Sequence, residues 1–270
     1  PRAGVRRHVF RGGNFFIPRV FNTFRSELAV EALAAELDGL VAATKAFLSS
    51  SAAGLAVEDG AIDDGVLGFE VAATNLAGHK LPTAYPSRRA WLHVTVRDAD
   101  GRTVFESGRL QRDGSIVGND NDADAARYEP HHTVIDHPED VQVYEVIMVD
   151  HGGAVTTGLI QGVEYVKDNR LLPKGFEKAT AGPDIAVHGG AATDPDFAGA
   201  GDRVRYAVDV RGHRGPFTVK VELRYQPIGF RWARNLAGYD APEPRRFVRF
   251  YDRLSHVSGA VLAGVEARIE

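Results

Sequence analysis

Ala90-Trp91-Leu92-His93-Val94-Thr95-Val96 is the stretch on which the fold turns. Leu92, Val94 and Val96 fall on one face, and Trp91, His93 and Thr95 on the other, the period of two that a strand imposes. Asp98-Ala99-Asp100-Gly101 follows as a hairpin turn, and Thr103-Val104-Phe105 runs back. Upstream, Leu55 and Val57 and then Val66-Leu67-Gly68-Phe69-Glu70-Val71 have the same character. Downstream, the segments 141–148, 155–163, 204–210 and 217–225 complete the set. About eight strands with no helices between them predict an antiparallel sandwich. Trp91 belongs in its core, although the alternation leaves open which face is buried.

Helical spacing brackets this region. Ser26 is suited to cap a helix with Glu27 in its first turn. Leu28, Leu33, Leu37, Leu40, Val41, Thr44, Phe47 and Leu48 continue it at steps of three and four. After Pro227, a short amphipathic segment 230–236 precedes a second stripe, Phe247, Phe250, Tyr251, Leu254, Val257, Val261, Leu262 and Val265, behind Pro242 and Pro244. The expected architecture is mainly β, an immunoglobulin-like antiparallel sandwich flanked by an N-terminal and a C-terminal helix. Its parts are an arm and helix over 1–51, a sandwich over 52–226 and a helical segment packing on it over 227–270. The first 25 residues interleave arginines with phenylalanines and read as a strap on this same domain.

Composition narrows the function. The 270 residues carry 32 Lys+Arg against 36 Asp+Glu, a formal charge of -4, which argues against general binding of a phosphate backbone. No apolar run approaches the ~18 residues that a membrane helix needs. Cysteine is absent, so disulfides, thiolate metal sites and thioether-linked haem are all excluded. No phosphate-binding Gly-rich loop, Gly-x-Ser-x-Gly elbow or HExxH motif is present, and no enzymatic activity is expected. The chain opens on Pro1 with no export signal, as a processed or truncated chain does.

Two local patterns suggest chemistry. In Gly118-Asn119-Asp120-Asn121-Asp122-Ala123-Asp124, three carboxylates alternate within five residues. A hard cation relieves such crowding, so Asp120, Asp122, Asp124 and Asn119, closed by Glu129, form a candidate Ca²⁺ loop without the EF-hand pattern. The second pattern is histidine, with ten in the chain. His79 stands out because Gly78 and Pro82 place it on a short stiff loop after a strand. Lys167-Asp168-Asn169-Arg170 reads as structural, with Asp168 and Arg170 bracing a connection.

From Gly78-His79-Lys80-Leu81-Pro82-Thr83 through Arg89-Ala90-Trp91, the sequence resembles the C-terminal β-rich region of exported bacterial multihaem c-type cytochromes. The resemblance continues through 101–108, 118–131, 141–145, 167–178 and 225–236, and His8-Val9-Phe10-Arg11-Gly12-Gly13 is similar to the segment after their last haem motif. It departs from them in having no Cys-x-x-Cys-His motif. The resemblance implies a haem-free accessory module of a periplasmic or extracellular electron-transfer assembly. Its partner would be a multihaem cytochrome chain carrying haem c, and it would supply a distal imidazole from His79, His8 or, third, His131. The alternative reading is a stand-alone calcium-stabilised sandwich that binds carbohydrate or cell-surface partners.

Overall fold

The computed structural model describes residues 12–83 and 85–270. Helix α1 (Phe16–Thr23) and helix α2 (Ala34–Ser51) lead into strands β1 (Ala53–Asp63), β2 (Val66–Asn75), β3 (Arg89–Arg97) and β4 (Thr103–Ser107). A mostly irregular excursion follows, holding α3 (Asp120–Ala123), β5 (Val134–Ile135), β6 (Val143–Tyr144), β7 (Val146–Val149), β8 (Val155–Thr156) and β9 (Glu164–Asp168). The chain then forms β10 (Gly201–Asp209), β11 (Phe217–Gln226), α4 (Phe230–Asn235), α5 (Pro242–Leu254) and β12 (Ala260–Ile269).

The protein is mainly β. One sheet runs β1-β2-β10-β5 and a second β12-β11-β3-β4, while β8-β7-β9 form a small third. All pairings are antiparallel except that of the short β5 with β10. Asp64 and Gly65, at φ 45° and 76°, make the left-handed turn that matches the twist of the β1–β2 hairpin. Alternation decides which side chains meet between the sheets. Leu67, Phe69 and Val71 from β2 and Val204, Tyr206 and Val208 from β10 are buried, as are Leu92, Val94 and Val96 from β3 and Val219, Val221 and Leu223 from β11. Phe69 and Tyr206 stack with centroids 5.1 Å apart, and Phe105 meets Tyr206 edge-on at 6.2 Å.

Trp91 is fully buried, but not between the sheets. It lies on the outer face of β3 in a separate cluster with Ile116, Val141 and Val143, beneath the excursion. Its indole N–H donates to the Gly108 carbonyl at 2.8 Å. Gly108 sits at φ 77°, and a Cβ there would come 2.2 Å from the Leu92 carbonyl oxygen. The chain turns out of the sheet at that point. β4 pairs with the second half of β3, and β6 takes over its first half, opposite Ala90 and Trp91.

The ends differ from their sequence expectations. The helix expected from Ser26 begins at Ala34, because Ala29 at φ 50° interrupts it and the Glu36 carboxylate accepts from the Leu33 N–H at the new start. The strap reading holds for residues 12–25: the Asn14 side chain caps α1, Phe15 and Phe16 are fully buried, and Phe24 stacks on Phe250 at 4.1 Å. The helix expected through 227–270 stops at Leu254, and β12 is a strand. Apolar residues at 257, 261, 262 and 265 satisfy a helical spacing, but the open edge of β11 offers unpaired N–H and C=O groups that only a strand can satisfy. Of the expected strand 155–163, only Val155–Thr156 forms, and 141–148 splits into β6 and β7.

In β12, Leu262 is fully buried while Val261 is 39% exposed. Urea denaturation is expected to show Leu262→Ala losing about 2–5 kcal/mol. Val261→Ala should lose less than about 1 kcal/mol; the opposite order would be that of a helix with the other face inward.

Candidate functional site

The acidic loop is organised around an arginine. Asn119 caps the single turn of α3, its side-chain oxygen accepting from the Asn121 N–H at 2.9 Å. That turn points Asp122 inward, where both carboxylate oxygens accept from Arg89 at 2.8 Å and one also accepts from the Ile116 N–H. The side chains of this pair are 5% and 3% exposed. Two more of the guanidinium N–H groups are used: Nε donates to Gln226 Oε1 at 2.8 Å, and the Gly114 carbonyl accepts from Nη2 at 3.2 Å. Gln226 in turn donates to the Gly114 carbonyl and to Ser258 Oγ. Arg231 closes the arrangement from α4 by donating to the carbonyls of Asn121 and Asp122, at 2.7 Å each.

The other acidic residues go elsewhere. Asp120 pairs with Arg127 at 2.6 Å, and Asp124 accepts from the Ala126 N–H. Glu129 accepts from the Asp120 N–H with one oxygen, and its other lies 2.7 Å from His132 Nε2. Glu129, His132 and Asp140 place ligand-type atoms within 4.8 Å of one another. The three loop carboxylates therefore have separate partners. A cation shared by all three would have to draw Asp122 away from Arg89.

His131 lies at the centre of a second buried network. Its Nδ1 faces two amide nitrogens, Gln142 at 2.9 Å and Asn169 at 3.1 Å. Neither amide is free to flip, because Gln142 Oε1 accepts from the His132 N–H and Asn169 Oδ1 from the Glu145 N–H. Nδ1 must accept, so Nε2 carries the proton and donates to Asp194 at 2.9 Å. The side chain is 1% exposed. This tautomer leaves no lone pair for iron or another metal, although His131, Asp194 and Asp202 place ligand-type atoms within 4.8 Å of one another. Burial pulls the imidazole down to about 4 against the opposing pull of Asp194. Asp202 accepts from Tyr144 at 2.8 Å and Gln142 at 3.0 Å through one oxygen; the other has no partner among the described residues. Burial, with Asp194 nearby, pushes it up to about 7.

Two further ion pairs anchor the same region. Lys167, 1% exposed, donates to Glu145 at 3.1 Å, and burial lowers its pKa. Asp168 accepts two bonds from Arg170 and one from Lys80, the bracing role its sequence suggested. Burial works against its charge, but Arg170 and Lys80 hold the carboxyl below its ordinary range. Arg89, Gln142, Asp194 and Asp202 carry no motif. Their only sequence signals are an arginine at the start of a buried strand and, for Gln142, a polar residue inside an apolar run, and the partners are distant in the chain.

His79 occupies a contrasting position. Asn75 ties down its loop by donating to the carbonyls of His79 and Leu171, at 2.8 and 2.9 Å. Leu81 and Leu171 exchange backbone hydrogen bonds of 2.8 and 2.9 Å, and Lys80 is bound to Asp168. The imidazole itself is exposed and makes no side-chain hydrogen bond among the described residues. His8 lies outside the described residues.

No protein-family model and no curated protein matches the chain. Among solved structures, a penta-heme cytochrome c552 from Thermochromatium tepidum is similar, with 15% identity and a TM-score of 0.47. The match covers 83% of this chain and 41% of that one, so this chain spans less than half of its length. At that degree of likeness, the residues themselves have to carry the functional reading. No described helix is long and apolar enough to cross a membrane.

Breaking the buried pair by Asp122→Asn is expected to lower stability by about 3–5 kcal/mol, because Arg89 keeps its buried charge. Thermal melts of the native chain with calcium and with a chelator should coincide, since Asp122 is already paired with Arg89 and Asp120 with Arg127; a calcium-dependent rise would show the carboxylates regrouping around the ion.

A second prediction concerns pH. The folded Asp202 carboxyl holds its proton more tightly than its ordinary value of 3.8 allows. Its stabilising contribution is therefore complete below pH 3.8 and lost as pH rises through about 7. His131, lowered from 6.5 to about 4, contributes above pH 6.5 and loses that contribution as pH falls through about 4. The two slopes oppose between about pH 4 and 6.5. Asp202→Asn should remove one of them, so that the native chain loses stability relative to the variant from pH 4 to 7, by up to about 1.4 kcal/mol per pH unit. Parallel curves from urea midpoints across that range would rule the buried proton out.

Proposed function

We propose that the chain is a haem-free accessory module of an extracytoplasmic electron-transfer assembly, docking on a multihaem c-type cytochrome and offering His79 to one of its haems. The observation that carries this reading is the exposed His79 imidazole on a loop fixed by Asn75 and the Leu81–Leu171 bridge. An axial ligand needs a free imidazole nitrogen on a backbone that does not move, with the other nitrogen open to a hydrogen bond. His79 has that freedom, whereas His131 is sealed and committed to its neighbours. The resemblance of 78–91 to cytochrome-associated β-rich regions supports the same partner. These 270 residues hold no cysteine and so attach no c-type haem themselves; in this proposal the haem is carried by the multihaem partner.

In this proposal the chain catalyses nothing and works outside the cytoplasm beside its partner. Its acidic loop is held to β3 by Arg89 and not by a metal ion. Reconstitution with the cognate cytochrome tests it. Native chain should form a stable complex and change the spectrum or midpoint potential of one haem, and His79→Ala should abolish that change while leaving its own fold intact. Absence of a complex would overturn the module reading. A complex whose haems are indifferent to His79→Ala would remove His79 as the ligand.

A further inference from the structure

A cleft of about 240 Å³ opens between the end of the His79 loop, Thr157, α4 and the start of α5. Tyr85, Trp232, Leu236, Tyr239 and Phe247 form its walls, over Ile228. Tyr85 and Tyr239 are about half exposed, at 50% and 53%, and Trp232 is half-buried, with Tyr85 meeting it edge-on at 5.4 Å. Large aromatic surfaces left in contact with water are costly unless something covers them.

The chemistry of the lining narrows what that something is. Among the described residues no charged side chain lines the cleft, although 25% of the chain is charged. The arginines of α4 turn away, Arg231 to the Asn121 and Asp122 carbonyls and Arg234 to Asp252 at 3.2 Å. An anionic ligand would meet no countercharge here. Polar groups are nevertheless present at the rim. The Tyr85 and Tyr239 hydroxyls and the Trp232 indole N–H are not engaged in any side-chain hydrogen bond among the described residues, and Asn235 and Thr157 bond to each other beside them. A purely aliphatic ligand would leave those donors unused. The volume lies below the ~300–1,000 Å³ that encloses a drug-sized molecule, so the fit is to roughly one ring.

We propose that this cleft binds a neutral carbohydrate, one sugar ring at a time. A pyranose has one face of C–H groups that lies against an aromatic ring, and a perimeter of hydroxyls that pair with neutral donors and acceptors. The walls and rim supply both. The site is separate from His79 and does not depend on the cytochrome reading.

Tryptophan fluorescence gives a direct readout, because the chain has two tryptophans and Trp91 is fully buried. Cellotetraose, chitotetraose and mannotetraose are titrated into the full chain, followed by emission and by calorimetry. At least one should give a saturable change in Trp232 emission. Trp232→Ala should remove the fluorescence change and weaken calorimetric binding about tenfold or more. Tyr239→Phe, which keeps the ring and loses the donor, should weaken it less than Tyr239→Ala, and His79→Ala should bind as the native chain does. Circular dichroism checks that each variant is folded. No saturable response to any of the three sugars would overturn the proposal, as would equal binding by a folded Trp232→Ala. Saturation by a neutral quinone but by no sugar would overturn it in favour of an aromatic ligand.

Discussion

Desolvating an ionised side chain is expensive, and it is repaid only where a partner and the remaining hydrogen bonds are all in place. Arg89 meets that requirement: a bidentate carboxylate, an amide oxygen and a backbone carbonyl all accept from its guanidinium. The irregular half of the molecule depends on pairs of this kind. Between β4 and β10 the regular strands are two to five residues long, too short to define a core by alternation. Arg89–Asp122 and Lys80–Asp168 tie this excursion to the sandwich, while Lys167–Glu145, Asp168–Arg170 and His131–Asp194 hold its own segments together. A hydrophobic isostere of any one pair could match its stability, but it would not specify which loop docks where.

This division explains what was legible in the sequence. The strands of the two large sheets repeat apolar residues every second position, so β2, β3, β10 and β11 could be read from their own residues. Trp91 was legible as a core residue but not as part of a second cluster, because the covering residues Ile116 and Val141 come from a loop with no periodicity. β12 is hard to read in sequence for a different reason. A short run with β-branched residues at 257, 261 and 265 satisfies both periods, and only the vacant edge of β11 distinguishes them.

The site was less legible than the fold. Asp120, Asp122 and Asp124 look equivalent in sequence, yet one turn of helix sends Asp122 into the interior and leaves the others outside. The decisive residue is Arg89, distant in the chain, which no spacing links to the loop. His131 and His79 are alike as letters. One is enclosed by Gln142, Asn169 and Asp194, whose positions only the tertiary structure sets, while the other is exposed because the turn around it was short and stiff, a property that Gly78 and Pro82 did announce.

The division of one edge of β3 between two strands also bears on how the molecule opens. β11 covers the whole of the opposite edge, and its register with β3 involves no residue of the excursion. β6 holds the first half of the shared edge through only two paired positions, Ala90–Tyr144 and Trp91–Val143. Opening of the segment after Gly108 would uncover Trp91 and the Arg89 guanidinium and leave the β3–β11 register intact, at the expense of the β5–β10 pairing and the burial of Ile135. Such an opening is a subglobal unfolding event with its own free energy, smaller than that of the sandwich. Amide exchange would divide accordingly: the β3–β11 ladder slow and tied to global unfolding, the amides of 108–143 faster and sharing a single rate.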